Sequence, residues 1–185
     1  MFIRHSNPEI GKKEISAVNA VLKSGYLSQG KVTQNFEQAM TKYIGCRYAA
    51  AVNSGTSALH LALLALKIRP NDEIIIPSYV CTALLNAVNY LGASVRVADI
   101  NQDDFNISPE SAKKLITAKT RAIIVPHMFG QPADIDKLLE LDIPIIEDCA
   151  LSVGSSYRNK KVGSFGLISI FSFYATKVIT SAEGG

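Results

Sequence analysis

EIIIPSYVCTALLNAVNYLGASVRVAD, residues 73–99, sets the fold class. It opens with Glu73-Ile-Ile-Ile-Pro77, a short continuous run of β-branched residues of the kind found in strands buried on both faces. Apolar residues at helical spacing follow from Cys81 to Leu91, and Ser94-Val-Arg-Val-Ala-Asp99 then reads as a second strand. Strand, helix and strand in succession make a βαβ unit, and such units build parallel sheets.

The pattern extends in both directions. Downstream, a helix is expected near Pro109–Ala118, a strand over Arg121–Pro126 and a helix near Ala133–Leu141. Pro144–Asp148 is expected as another strand and Leu167–Phe171 as a further one. Upstream, Tyr48–Asn53 reads as a short buried strand, Ser54-Gly-Thr-Ser57 as a turn and Ala58–Leu66 as a strong helix. Two amphipathic helices precede them, over Glu9–Lys23 and Val32–Tyr43, the first ended by Ser24-Gly25. The expected architecture is an α/β fold: a mainly parallel, mixed sheet with helices on both faces, with no internal linker or repeat.

Composition excludes several classes. The 185 residues are 48% hydrophobic and 19% charged, which suits one ordinary globular domain and not a disordered chain. The net charge of +3 is scattered, a poor footprint for nucleic acid or an anionic membrane. No apolar run reaches the roughly 18 residues of a membrane span, and MFIRHSNPEIGKKEIS lacks the apolar core of a secretory signal. Cys46, Cys81 and Cys149 show no CxxC spacing, which fits a reduced, cytoplasmic protein without structural zinc.

Ligands of open α/β sheets gather beyond the carboxyl ends of the strands. That rule selects Ser54–Ser57, Pro77–Cys81, Pro126–Gly130, Glu147-Asp148 and the segment after Phe171 that contains Lys177. In Asn53-Ser-Gly-Thr-Ser57, Gly55 allows close backbone approach, Thr56 and Ser57 offer hydroxyls, and the following helix presents unpaired N–H groups. Together these make an anion site suited to a phosphate. Asp148, ending an apolar strand, is placed to face a ligand cation, since an unpaired buried charge is costly. Lys177 follows an apolar strand, and desolvation would lower its pKa and make it a competent amine nucleophile. Taken singly, each has an ordinary alternative: a capped helix start, a structural ion pair, a surface lysine. Taken together, they suit pyridoxal 5′-phosphate, with a phosphate cradle, a carboxylate for the ring nitrogen and a lysine for the Schiff base. His60 reads as a helix-face histidine, and His127 is left between a rim site and packing. No His/Cys/carboxylate cluster has metal spacing, so no metal is expected.

These residues resemble the DegT family of pyridoxal-phosphate aminotransferases, which act on nucleotide-linked keto-sugars. The likeness runs through Ser24-Gly-Tyr-Leu-Ser-Gln-Gly30, Val52–Leu59, Asp72–Tyr79, His127-Met-Phe-Gly-Gln-Pro-Ala-Asp134, Glu147-Asp-Cys-Ala150, Ser172-Phe-Tyr-Ala-Thr-Lys177 and Glu183-Gly-Gly185. It implies the fold type I large domain of pyridoxal-phosphate transferases, with Lys177 as the Schiff-base lysine and Asp148 as the partner of the pyridine nitrogen. It also implies Gly55, Thr56, Ser57 and Ser172 around the phosphate, and Cys81 where an aromatic residue usually stacks on the ring. By the same likeness the reaction is ping-pong transfer from an amino acid, usually glutamate, to a nucleotide-sugar acceptor, in a homodimer. Cell-envelope polysaccharide or antibiotic-sugar synthesis are the family-level expectations for pathway. A related dehydrating branch carries histidine at the lysine position, so Lys177 argues for transamination.

Three positions depart from the family pattern: Cys81, Leu151 in place of a glutamine near the ring hydroxyl, and Gly166-Leu167 in place of Gly-Asp. Family members are also about twice as long. Residues 1–185 are therefore expected to be the N-terminal part of the cofactor-binding large domain, without the C-terminal small domain, and to bind cofactor weakly without turnover. The competing expectation is a non-catalytic homologue that binds cofactor or serves as an interaction or regulatory partner. A third chemistry, cysteine desulfuration, would need a cysteine on a mobile loop, and none of the three is so placed.

Overall fold

The computed structural model describes residues 6–185. The chain runs α1 (Lys12–Ser24), α2 (Lys31–Ile44), α3 (Gly55–Ala65), β1 (Glu73–Pro77), α4 (Ala83–Asn89), β2 (Ser94–Ala98), α5 (Pro109–Leu115) and β3 (Thr120–Pro126). It continues through α6 (Ile135–Leu139), β4 (Ile145–Asp148), β5 (Ser156–Tyr157), β6 (Lys160–Lys161) and β7 (Ile168–Ile170). Five strands form one sheet in the order β2-β1-β3-β4-β7, and every pair in it is parallel. Among the described residues antiparallel pairing is found in the β5–β6 hairpin, whose turn residues Arg158 and Asn159 both take positive φ, and in an isolated Ile100–Ile107 bridge. No helix of the described residues is long and apolar enough to cross a membrane.

Side-chain alternation along the strands builds two cores. Ile74, Ile76, Ala122, Ile124, Ile146 and Ile170 point to one face, where Leu59 and Leu63 of α3 and Leu84 and Val88 of α4 cover them. Ile75, Ile123, Val125 and Ile145 point to the other, under Ala112 of α5 and Ile135 and Leu138 of α6. Both faces being covered is why these strands read as continuous apolar runs. The same parity carries to the strand ends. Asp148 follows Ile146 on the α3/α4 face, while Glu147 follows Ile145 on the opposite one.

One expectation is corrected. Residues 48–53 do not form a strand. Their one ladder contact is with the last two residues, where Val52 and Gly185 exchange N–H···O bonds of 2.9 and 3.0 Å and Ser54 bridges Gly184. A strand needs a run of paired residues, and in this segment Val52 alone exchanges ladder bonds, whatever the local propensity. The first helix forms and ends at Gly25 in the left-handed conformation (φ 69°), but none of its residues is buried, and Ile15, Val18 and Leu22 stay exposed.

Candidate active site

An open cleft of about 300 Å³ lies beyond the carboxyl ends of β4 and β7, at the N-terminus of α3. Gly55, Thr56, Cys81, Asp148, Ser172 and Lys177 all line it. Ser57 does not. Its N–H donates to the Ser54 hydroxyl at 3.1 Å, and the Ser54 hydroxyl donates to Ser57 Oγ at 2.9 Å. Ser57 therefore belongs to the helix cap, and Ser54, the cap residue, lines the cleft in its place.

Each side chain has a local reason for its position. Asp148 pairs in register with Ile170, and Ser172 lies two residues further along, so Asp148, Ile170 and Ser172 share one face. Gly55 lets α3 start directly against that face. A Cβ there would meet Ser172 Cβ at 2.9 Å and the Phe171 carbonyl oxygen at 3.2 Å. Lys177 sits in the loop between Phe173 and Gly184. The base of that loop is closed by Phe173 N–H to Gly184 O (2.9 Å) and Ser181 N–H to Phe173 O (3.0 Å). Lys177 is half-buried, and among the described residues no carboxylate lies within 4.0 Å of it.

Asp148 is buried, and its carboxylate accepts one hydrogen bond, from Ala150 N–H to Oδ1 at 3.0 Å. Burial raises its pKa above the usual 3.8, against the pull of the Ala150 N–H and the Lys177 charge. A carboxylate so placed lacks a counter-charge, and the cleft is where a cation could supply it. The free N–H groups and positive dipole end of α3, with the Thr56 and Ser172 hydroxyls, face the same space and suit an anion. An anion cradle, a buried carboxylate short of a cation and a primary amine around one cleft fit pyridoxal phosphate.

His127 and Glu147 lie outside this cleft. Both are fully buried, with His127 Nε2 3.1 Å from Glu147 Oε2. His127 Nδ1 accepts the Ala133 N–H at 3.1 Å, so Nε2 carries the proton and donates to Glu147. Glu147 also accepts N–H groups of Gly163 (2.6 Å), Phe165 (2.7 Å) and Gly166 (2.6 Å). Burial works to raise the Glu147 pKa, but these donors together hold it below the usual 4.5. The ligand atoms of His127, Glu147 and Cys149 come within 4.8 Å of one another, a grouping their sequence spacing gave no sign of. With both imidazole nitrogens and both carboxylate oxygens already engaged, the group is a hydrogen-bonded knot joining β4 to the loop before β7. His127 is thus a packed residue, and His60 a helix-face one, edge-on to Tyr90 with ring centroids 5.6 Å apart.

Among the lining residues that the sequence did not single out, Tyr174 and Glu183 carry titratable side chains. Both stand in the quoted motifs around Lys177, but their facing the cleft depends on how the Phe173–Gly184 loop closes. Leu151, three residues after Asp148, is partly exposed and brings no hydrogen-bonding group.

Comparison with known proteins places this geometry. The model of the DegT/DnrJ/EryC1/StrS aminotransferase family matches residues 8–185. Among solved structures, Spr1654 of Streptococcus pneumoniae, assigned as a sugar aminotransferase and solved in its pyridoxal-phosphate form, is 32% identical. It superposes with a TM-score of 0.96 over 99% of this chain and 52% of its own. DesV of S. venezuelae, in complex with a ketimine intermediate, is 36% identical, with a TM-score of 0.89 over 92% of this chain and 47% of its own. The E. coli GDP-4-keto-6-deoxy-D-mannose-3-dehydratase with bound hydrated pyridoxal phosphate is 30% identical, with a TM-score of 0.92 over 97% of this chain and 49% of its own. The chain spans about half the length of these solved relatives.

Proposed function

The chain belongs to the DegT/DnrJ/EryC1/StrS aminotransferase family, whose cofactor is pyridoxal phosphate, and from that premise we propose that it is the cofactor-holding part of a transaminase that moves an amino group from an amino acid to a nucleotide-linked keto-sugar. The observation that carries this reading is the convergence of Lys177, Asp148 and the α3 N-terminus on one cleft.

In this reading each residue has a physical task. The α3 N-terminus with Thr56, and the Ser172 hydroxyl, hold the cofactor phosphate. Asp148 faces the ring nitrogen, and a protonated nitrogen there would return the Asp148 carboxyl to its ordinary, ionised state. The bound cofactor supplies an electron sink that lets the Cα–H bond of an amino acid ionise. Lys177 Nζ would hold the cofactor covalently and, once free, would be the amine placed to carry the Cα proton. Cys81, which lines the cleft, would touch the ring over less area than an aromatic side chain would cover. The donor in this reading is glutamate, the compartment the cytoplasm, and the working form a homodimer in which residues 1–185 are the N-terminal part of the large domain. Lys177 favours amino transfer over the dehydration named for the E. coli relative.

A second reading, a non-catalytic cofactor-binding homologue, draws on Leu151, which cannot hydrogen-bond at its position. One experiment bears on both. The chain is titrated with pyridoxal phosphate, reduced with borohydride and peptide-mapped, beside Lys177→Ala. A band above about 400 nm, with label at Lys177 alone and loss of the band on adding glutamate, supports the transaminase. A band that glutamate leaves unchanged is the outcome of the second reading, and also of the first where residues 1–185 lack the groups that hold the donor. Label spread over surface lysines removes both.

A further inference from the structure

Three exposed aromatic rings gather beyond the carboxyl ends of β1, β2 and β3. Tyr79, Phe105 and Phe129 are 48%, 42% and 66% exposed. Their ring centroids lie 5.5 Å (Tyr79–Phe105), 5.9 Å (Phe105–Phe129) and 6.2 Å (Tyr79–Phe129) apart. Phe105 and Phe129 both sit in the left-handed region, at φ 59° and 54°, which is unfavourable for a bulky side chain. Strain of this kind persists only where the surroundings enforce it, and it concentrates at functional sites.

The surroundings here do enforce it. Asn106, fully buried, ties the two phenylalanine loops together. Its Nδ2 donates to Gln131 O at 3.1 Å, and its Oδ1 accepts the Met128 N–H at 2.9 Å. Phe105 N–H donates to Asn101 O at 3.0 Å, Asn106 N–H to Asp104 Oδ1 at 2.9 Å, and Ser155 Oγ to Gly130 O at 2.7 Å. The loops on both sides are fixed while the rings stay in solvent, an arrangement suited to a binding surface and not to a core.

The trio lies on the same carboxyl-end side of the sheet as the cleft. Tyr79 stands two residues before Cys81, which lines the cleft. Phe129 precedes Gly130, which packs against Leu151, so that a Cβ at position 130 would lie 3.6 Å from the Leu151 carbonyl. Leu151 in turn follows Asp148 by three residues. No cation belongs to the trio, and Asp103 and Asp104 flank Phe105, so a diphosphate is unwelcome on it. A flat, uncharged ring system is the ligand that fits.

Resting on the transaminase reading above, we propose that Tyr79, Phe105 and Phe129 form a stacking platform for the nucleobase of the nucleotide-linked sugar, whose sugar end lies in the Lys177 cleft. Stacking on aromatic side chains suits any base and gives affinity with little sequence preference.

The test is saturation-transfer NMR on the chain with uridine, thymidine and guanosine diphosphates, without pyridoxal phosphate. Base protons are expected to receive more saturation than ribose protons. Phe129→Leu and Tyr79→Leu, which keep apolar volume but lose the ring, are expected to weaken binding at least about fivefold. Tyr90→Leu, an exposed aromatic away from the trio, is expected to leave binding unchanged. Absence of base saturation for all three diphosphates, or equal binding by the leucine variants, overturns the platform. Self-association that Phe129→Leu abolishes, without nucleotide binding, also overturns it and makes the trio a contact between two copies. If the platform fails while pyridoxal phosphate still labels Lys177, the transaminase reading stands alone. If nucleotides bind the trio but Lys177 takes no label, the platform stands and that reading falls.

Discussion

Gly55 and Ser172 approach so closely that a Cβ on Gly55 would lie 2.9 Å from Ser172 Cβ, with the Phe171 carbonyl oxygen 3.2 Å away. The contact joins the start of α3 to the end of β7, and so sets the anion-binding helix terminus against the segment that leads to Lys177. The first prediction follows directly. Gly55→Ala forces backbone apart, because one of the obstructing atoms is a carbonyl that cannot rotate away. The expected cost is about 1–3 kcal/mol of stability. Pyridoxal-phosphate affinity should fall further than stability alone accounts for, since the two halves of the cradle separate. Urea denaturation and a cofactor titration on the same variant check it, and unchanged values in both would mean the contact is loose.

Glu147 gives a pH prediction. Its folded pKa lies below the usual 4.5, so its ionised form adds stability that is complete above about pH 4.5 and is lost as the pH falls through the depressed folded value. Wild-type urea midpoints should therefore fall in that acid range. In Glu147→Gln this part of the pH dependence should vanish, because the amide does not titrate. At pH 7 the variant should lose about 3 kcal/mol, since one oxygen that now accepts from His127 and Gly163 becomes an N–H donor facing donors. An equal acid loss in variant and wild type would mean that other carboxylates carry the transition.

Asp148 has the opposite sign. Burial raises its folded pKa above the usual 3.8, so the carboxyl contributes stability below that value and loses it as the pH rises through the folded pKa. At pH 7 the cofactor-free chain therefore holds a carboxylate it would fold better without. Asp148→Asn keeps an acceptor for the Ala150 N–H and removes the charge. The expected gain is about 0.5–2 kcal/mol, or roughly 2–6 °C in Tm, together with weaker binding of pyridoxal phosphate. A fall in Tm would mean that Lys177 already neutralises the carboxylate.

The sequence made the sheet legible because both of its faces are covered. Ile74–Ile76, Ile123–Val125 and Ile145-Ile146 sit in a doubly packed layer, and an apolar run is the direct mark of that environment. The segment 48–53 has the same local character, but its ladder contacts among the described residues are Val52 with Gly185 and Ser54 with Gly184, and propensity alone does not make a strand without a run of paired residues. The grouping of Lys177, Asp148 and Gly55 followed from the rule that strand ends share a rim. Ser57 was less legible, because a hydroxyl on a helix terminus can cap or can face outward, and its engagement depends on Ser54 reaching it. The His127–Glu147 knot was hidden because its other donors, the N–H groups of Gly163, Phe165 and Gly166, are backbone groups that leave no trace in side-chain pattern.

The three cysteines probe the cleft without relying on turnover. Cys81 is exposed and lines the cleft, Cys46 is half-buried with its Sγ 3.4 Å from the Tyr48 carbonyl, and Cys149 is fully buried. Burial pushes the Cys149 thiol well above the usual 9.0, and the Glu147 and Asp148 charges push it further. Because the thiolate is the reactive form, a disulfide reagent should modify Cys81 first, Cys46 more slowly and Cys149 only on denaturation. Pyridoxal phosphate should protect Cys81 while leaving the rate at Cys46 unchanged. If Cys81 does lie beside the ring, Cys81→Phe should add aromatic contact and tighten binding by about 2- to 10-fold, the range given by roughly 0.5–1.5 kcal/mol for an aromatic pair. Mass mapping of the modified thiols and titration of the variant check both halves. Protection without tightening would mean that a phenylalanine at 81 turns away from the ring. Modification of Cys81 at the same rate with and without cofactor would mean that the ring does not lie between Cys81 and Asp148, and the assignment of this cleft would then have to be given up.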